Sequence, residues 1–274
     1  MIANLTLITF LTITFCALSC AILGNFVLWK KISYFGDNLS HSTLFAFVIA
    51  YYFNFNQILF LILFNFLFGF LVFFSNHKIL DGIYCNRQKF FSIDTITMIF
   101  TYFFLSSAIL FNENFNNNFE FEEFILGDIS RITTHQLSLI IILNFLIILF
   151  VYFYSRKFLL IIFNRELAKI NNINVKLVEF IFVSLIAFLI AFAIKITGIF
   201  LITALMILPP ACARILAKNP HNMIFISATI AIFISILAIF LSYFLNLSQA
   251  PTIIFLNVIL LIILLLFQKF YAKT

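Results

Sequence analysis

An all-α, polytopic integral membrane protein is the fold class that this 274-residue sequence predicts. It should have about eight to ten transmembrane helices, with nine the working count and some of them short or broken. Three observations predict it. The chain is 64% hydrophobic and 9% charged, with a mean hydropathy of +1.17, whereas soluble domains carry about 25% charged residues. Its apolar stretches are continuous and long, which suits helices crossing a hydrocarbon core rather than the ten-residue alternation of a membrane barrel. Its Lys and Arg residues also separate cleanly into two sides.

Taken in order, the runs 5–29, 57–74, 92–111, 137–155, 223–245 and 251–268 are each long enough to cross. The first has neither a basic n-region nor a small-residue cleavage site, so it reads as a span rather than a signal peptide. Three runs are shorter or interrupted: 39–54, 178–194 and 198–214, the last two separated by Lys195-Ile196-Thr197-Gly198. Pro209 and Pro210 have no backbone donor and are expected to end regular helix within 198–214. A reentrant segment there would need protein or a water-filled cavity to satisfy its freed backbone groups.

With nine spans and the N-terminus outside, every Lys and Arg except Arg131 and Lys195 falls on the inner side. The outer loop 112–136 meanwhile gathers Glu113, Glu120, Glu122, Glu123 and Asp128. This is the asymmetry of the positive-inside rule, so the net charge of +6 reports topology and not affinity for nucleic acid. Lys195 reads as a side chain snorkelling to the outer interface. The whole chain, 1–274, reads as one membrane domain whose longest inner loop is 156–177.

Few residues can carry chemistry. The four cysteines form no C-x-x-C pair; Cys16 and Cys20 are spaced as small residues on a packed helix face. The six glycines are scattered singly, and no phosphate-binding loop is present. Uphill transport would therefore need an ion gradient or a separate ATPase. Buried acids are few, namely Asp37, Asp94 and Glu179 near the inner face, which tilts the reading towards an ATPase partner. His77, His135 and His221 lie in loops and read as solvated, although His135 and the acidic outer loop could attract cations.

Asp37 and His41 stand out because four-residue spacing puts a carboxylate and an imidazole on one helix face, one turn apart. An ionisable group at membrane depth costs about 2.5–3.5 kcal/mol on insertion scales, and such groups mark ion and proton paths. A local role is also open, in which Asp37 caps the helix start and His41 only hydrogen-bonds to it. In the inner loop, Asn164 is placed to cap a short helix through Ile170, with Glu166 in its first turn. Asn171 and Asn172 follow and suit the left-handed turn that stops a helix.

Three blocks resemble the permease subunits of zinc/manganese/iron uptake ABC transporters, most closely the high-affinity zinc uptake permease. The first is Ile32-Ser33-Tyr34-Phe35-Gly36-Asp37-Asn38-Leu39-Ser40-His41-Ser42. The second is Asn164 to Val175, similar to the family's D-x-x-x-A-x-x-x-G-[IV] loop. The third runs from Lys195-Ile196-Thr197-Gly198 to Pro209-Pro210-Ala211-Cys212-Ala213-Arg214, similar to its K-x-x-G…L-L-I-I-P-A-A-x-A-R block. Ser92-Ile93-Asp94-Thr95 and Phe124-Ile125-Leu126-Gly127-Asp128 are weaker echoes. Asn164 replaces the family's Asp, Asn171 or Asn172 its Gly, and a proline one of its alanines.

The resemblance implies a transport subunit with no catalysis of its own, carrying Zn²⁺, or Mn²⁺ or Fe²⁺, across the bacterial inner membrane, with no permanently bound cofactor. It implies a homodimer, cytoplasmic ABC ATPase subunits docked at about 156–177, and an extracytoplasmic metal-binding protein. On that reading Asp37 and His41 are metal ligands near the inner mouth of the second span, and Asp94 is a further candidate. Arg165, Glu166, Leu167 and Ala168 would face the ATPase. A secondary metal-ion carrier and a permease for a metal chelate remain the alternatives.

Overall fold

A computed structural model describes residues 2–82, 93–114, 127 and 132–271, with the backbone alone at 2–6, 72–82, 93, 94, 96, 114, 270 and 271. Among these residues are nine helices and no strand: α1 (Ile2–Trp29), α2 (Ser33–Tyr52), α3 (Gln57–Gly82), α4 (Ile93–Asn114), α5 (Thr134–Phe163), α6 (Arg165–Ile170), α7 (Val175–Leu216), α8 (Pro220–Leu245) and α9 (Gln249–Tyr271). The chain adopts the all-α, polytopic architecture that its composition predicts. Five of the described helices (α1, α5, α7, α8 and α9) are long and apolar enough to cross a membrane by length and composition.

Helix α7 takes in both of the neighbouring runs 178–194 and 198–214. Its 42 residues would extend about 63 Å at 1.5 Å per residue, about twice the hydrocarbon core. It breaks at Gly198, where φ is 75° and ψ is 168°, a conformation that only glycine adopts readily. Gly127, with φ 80°, lies directly on the break. A Cβ on Gly127 would stand 2.5 Å from both the Gly198 nitrogen and the Thr197 carbonyl carbon. Two glycines thus allow backbone to meet backbone here, above a small cluster of Ile132, Ile140 and Ile196 with Ile8 and Phe15 against it.

The prolines do not end regular helix, contrary to the expectation from their missing donors. Helix α7 continues through Pro209 and Pro210 to Leu216. Pro210 cannot donate to the carbonyl of Met206, one turn earlier. That freed oxygen turns towards Gly24 of α1, so closely that a Cβ on Gly24 would overlap it. The Cα–H of a glycine can meet a carbonyl oxygen that no other residue would admit. Helix–helix packing therefore holds the proline-containing turn in register.

The contacts divide the chain into two compact units. The first is Met1–Ser33, Phe121–Phe150 and Ala193–Thr274. In it α1 packs along α8; Cys16, Ala17, Cys20 and Ala21 are buried on α1, and Ser227, Ala231, Ser235, Ala238 and Ser242 are buried on α8. Close approach of small faces is the usual way to pack helices where no hydrophobic force separates protein from lipid. The cysteines are packing residues, as their spacing suggests. Asn25 Nδ2 donates to Ser227 Oγ at 2.6 Å, and Trp29 Nε1 donates to Met223 Sδ at 3.2 Å.

The second unit is Tyr34–Glu120 and Val151–Phe192. Phenylalanine contacts join its helices: Phe45 lies 5.3 Å from Phe104, Phe66 lies 5.6 Å from Phe180, and Phe158 lies 4.6 Å from Phe182. Buried Phe158 and Phe182 fasten the end of α5 to the start of α7, on either side of the short helix α6.

Candidate metal and coupling sites

Helix α2 has one polar face turned out and another turned in. Tyr34, Asp37 and His41 are exposed or partly exposed, while Asn38, Ser42 and Thr43 are buried. The buried face is tied down by hydrogen bonds: Asn38 Nδ2 donates to Thr97 Oγ1 at 3.1 Å, and Thr43 Oγ1 lies 2.7 Å from Asn65 Oδ1. These bonds fix the rotation of α2 and so fix where Asp37 and His41 point.

His41 Nε2 lies 3.5 Å from Asp37 Oδ1, with the two side chains 35% and 41% exposed. The sequence-predicted pairing therefore exists. Asp37 sits a full turn inside α2, which begins at Ser33, so it is not the helix cap that the local reading required. One carboxylate oxygen and one imidazole nitrogen within reach of a single ion can hold a divalent cation whose other ligands are water. Among the described residues no group of three or more His, Cys, Asp or Glu side chains could hold a metal.

Asp94 falls in the first turn of α4, but its side chain lies outside the described residues, as do Glu120, Glu122, Glu123 and Asp128. Glu113, His135 and Lys195 are exposed.

The short helix α6 forms where its caps dictate. Asn164 is extended (φ −152°, ψ 102°), and its Oδ1 accepts from Glu166 N at 3.1 Å and Leu167 N at 3.0 Å. At the other end Asn172 takes the left-handed conformation at φ 54°. Asn172 N donates to Lys169 O at 3.0 Å and Ile173 N to Ala168 O at 3.1 Å, the paired bonds of a Schellman stop. Asn164 and Asn172 thus do the work of the Asp and Gly they replace.

The four loop residues singled out from the sequence face different ways. Glu166 and Leu167 are exposed, whereas Ala168 is fully buried and Arg165 turns back towards α7. There Arg165 Nη2 meets Glu179 Oε2 at 3.2 Å. Two apolar side chains that the sequence reading passed over flank the exposed pair: Phe163 is 76% exposed and Ile170 is 75% exposed. Their spacing from Leu167, four residues before it and three after, was the available signal.

Long apolar helices, a half-exposed carboxylate–imidazole pair and a short capped helix between α5 and α7 fit a polytopic membrane protein of the permease type. The chain belongs to the ABC 3 transport family, whose model matches residues 3–268. It is a transport subunit and not an enzyme.

Among curated relatives, the high-affinity zinc uptake system membrane protein ZnuB of Buchnera aphidicola subsp. Baizongia pistaciae is 33% identical over 244 residues, covering 88% of this chain and 89% of the relative. The manganese transport system membrane protein MntC of Listeria monocytogenes is 23% identical over 246 residues, covering 90% of this chain and 84% of the relative. The solved structure of PsaBC from Streptococcus pneumoniae in complex with Fab has a chain of the same fold, with a TM-score of 0.79 at 20% identity over 96% of this chain and 95% of that one.

Proposed function

We propose that this chain acts as a single permease domain, residues 1–274, in a bacterial inner-membrane ABC importer that carries divalent metal ions, zinc foremost, into the cytoplasm. Metal names on relatives that cover most of the chain support the cargo, and the Asp37–His41 pair is the observation that carries the mechanism. Asp37 and His41 take the ion transiently near the inner end of the path. Two protein ligands suffice for a hand-over, because a closed four-ligand cage would hold the ion too well. Asp94 serves as a further ligand. The cation is cargo, with no resident cofactor.

Cytoplasmic ATPase subunits dock on Leu167 and Ile170 of α6 and on Phe163 at the end of α5, with Glu166 at the rim. The chain works as a homodimer, and an extracytoplasmic metal-binding protein delivers the ion. Zinc accumulation by vesicles containing the permease, its ATPase and the binding protein tests this reading. Uptake that requires ATP and all three components is the expected result. Uptake by the permease alone, driven by a proton or sodium gradient, would make it a secondary carrier, and uptake only of a metal chelate would reassign the cargo. A manganese arm in the same assay decides between the two metals, since Asp and His suit both.

A further inference from the structure

Glu179 is 93% buried by residue, since its relative exposure is 7%, and it is a carboxylate between the buried residues Val178 and Phe182. A charge in such a place is retained only with a partner. Its partner is Arg165, the first residue of α6, at 3.2 Å, with side-chain exposures of 24% for Arg165 and 9% for Glu179. This contact joins two different elements. Glu179 stands on α7, one turn in from its start at Val175, and Arg165 begins the helix that precedes it.

A helix of six residues is far below the length of about 12–15 at which isolated helices become even marginally stable, so its neighbours must hold it. The Asn164 cap and the Asn172 turn shape the helix but do not orient it on the span. Ala168, fully buried, supplies packing without direction. The Arg165–Glu179 pair supplies the directional link, charge-assisted and with little slack. Meanwhile the opposite side of α6 shows Leu167 and Ile170 to solvent.

We propose that Arg165 and Glu179 form a strut that transmits displacement of α6 by a docked ATPase subunit into α7, and that both are positioning residues for coupling rather than groups on the metal path. This rests on the reading that α6 is the ATPase dock. It also removes Glu179 from the buried acids available for ion coupling, because its carboxylate is already committed. The absence of charge at this contact should leave assembly intact and uncouple hydrolysis from import.

The test uses the permease reconstituted with its ATPase and binding protein, reading ATPase retained on purification, ATP hydrolysed and zinc imported per ATP. Three variants are compared: Glu179→Gln, Arg165→Lys, and the apolar double Arg165→Met/Glu179→Leu. Removing one partner of a buried pair is disruptive, whereas an apolar replacement of both can preserve folding, so the double variant separates stability from coupling. The double variant is expected to keep the ATPase bound while zinc imported per ATP falls about tenfold; Glu179→Gln should lower that ratio at least as far, and Arg165→Lys should fall between the double variant and wild type.

A double variant that imports zinc per ATP at the wild-type ratio would overturn the strut, since packing alone would then suffice. So would wild-type coupling in Glu179→Gln. Leu167→Asp tests the docking reading separately and should strip the ATPase from the permease. If it does not, the dock is misassigned and the strut falls with it. If it does, while the double variant couples normally, the dock stands and only the strut is wrong.

Discussion

Replacing Gly24 by alanine tests how closely α1 approaches the proline-containing turn of α7. A Cβ at that position would overlap the Met206 carbonyl oxygen and stand 2.8 Å from the Met206 carbonyl carbon and 2.9 Å from Pro210 Cγ. Two of these atoms are backbone and the third is a ring carbon, so none can swing aside. Overpacking of this kind costs about 1–3 kcal/mol. Against it stands the better helix propensity of alanine, worth about 0.8–1.0 kcal/mol over glycine. Because the overlap is with backbone, the upper end of that range applies, and the net loss should be about 2 kcal/mol, a factor of roughly 30 in the folded ratio.

Trp29 gives a convenient signal, being the one tryptophan in the chain, edge-on to Phe26 at 5.2 Å and bonded to Met223 in the same unit. A thermal melt in detergent followed by its fluorescence should show Gly24→Ala unfolding several degrees below wild type. Gly69→Ala is the comparison, because its Cβ would meet only the Val183 Cγ1 methyl at 3.0 Å, a side-chain atom with room to yield. Its melt should fall less. A Gly24→Ala melt at or above wild type would mean that the contact with Met206 and Pro210 has room to yield and that propensity alone decides the outcome.

Other consequences follow from the same contacts. In a double-mutant cycle of Asn25→Ala and Ser227→Ala, the Trp29 melt should reveal a coupling of about 0.6 kcal/mol, the average for a hydrogen bond between membrane helices. Asn164→Ala removes the acceptor for two backbone amides and should cost α6 about 1 kcal/mol, seen as less ATPase co-purified; Asn164→Asp should retain it. Asn172→Val forces a β-branched residue into the left-handed region at a cost of about 1–2 kcal/mol, whereas Asn172→Gly should be tolerated. Limited trypsin digestion at Arg165 and Lys169 should be faster in the valine variant only.

Much of this was legible in the residues themselves. Uninterrupted apolar runs suffice for the helices, because lipid leaves the backbone no other way to satisfy itself. The caps of α6 follow from local side-chain chemistry, so Asn164 and Asn172 could be placed in advance. The pairing of Asp37 with His41 follows from helical spacing alone.

What escaped was tertiary. Pro209 and Pro210 look like helix breakers until Gly24, far away in sequence, receives the freed Met206 carbonyl. Gly198 looks no different from other scattered glycines until Gly127 packs on it. The inward turn of Arg165 depends on Glu179, fourteen residues later, and the exposure of Phe163 and Ile170 beside Leu167 depends on how α6 packs.

Initial rates of zinc uptake by vesicles with the complete transporter decide whether Asp37 and His41 handle the metal. Asp37→Asn and His41→Ala, compared with wild type at matched protein levels and matched ATPase content, should each lower zinc uptake at limiting metal by on the order of tenfold or more, since even groups that only support metal ligands cost 10–100-fold when removed. Wild-type uptake rates in both variants across the full zinc range would contradict the account.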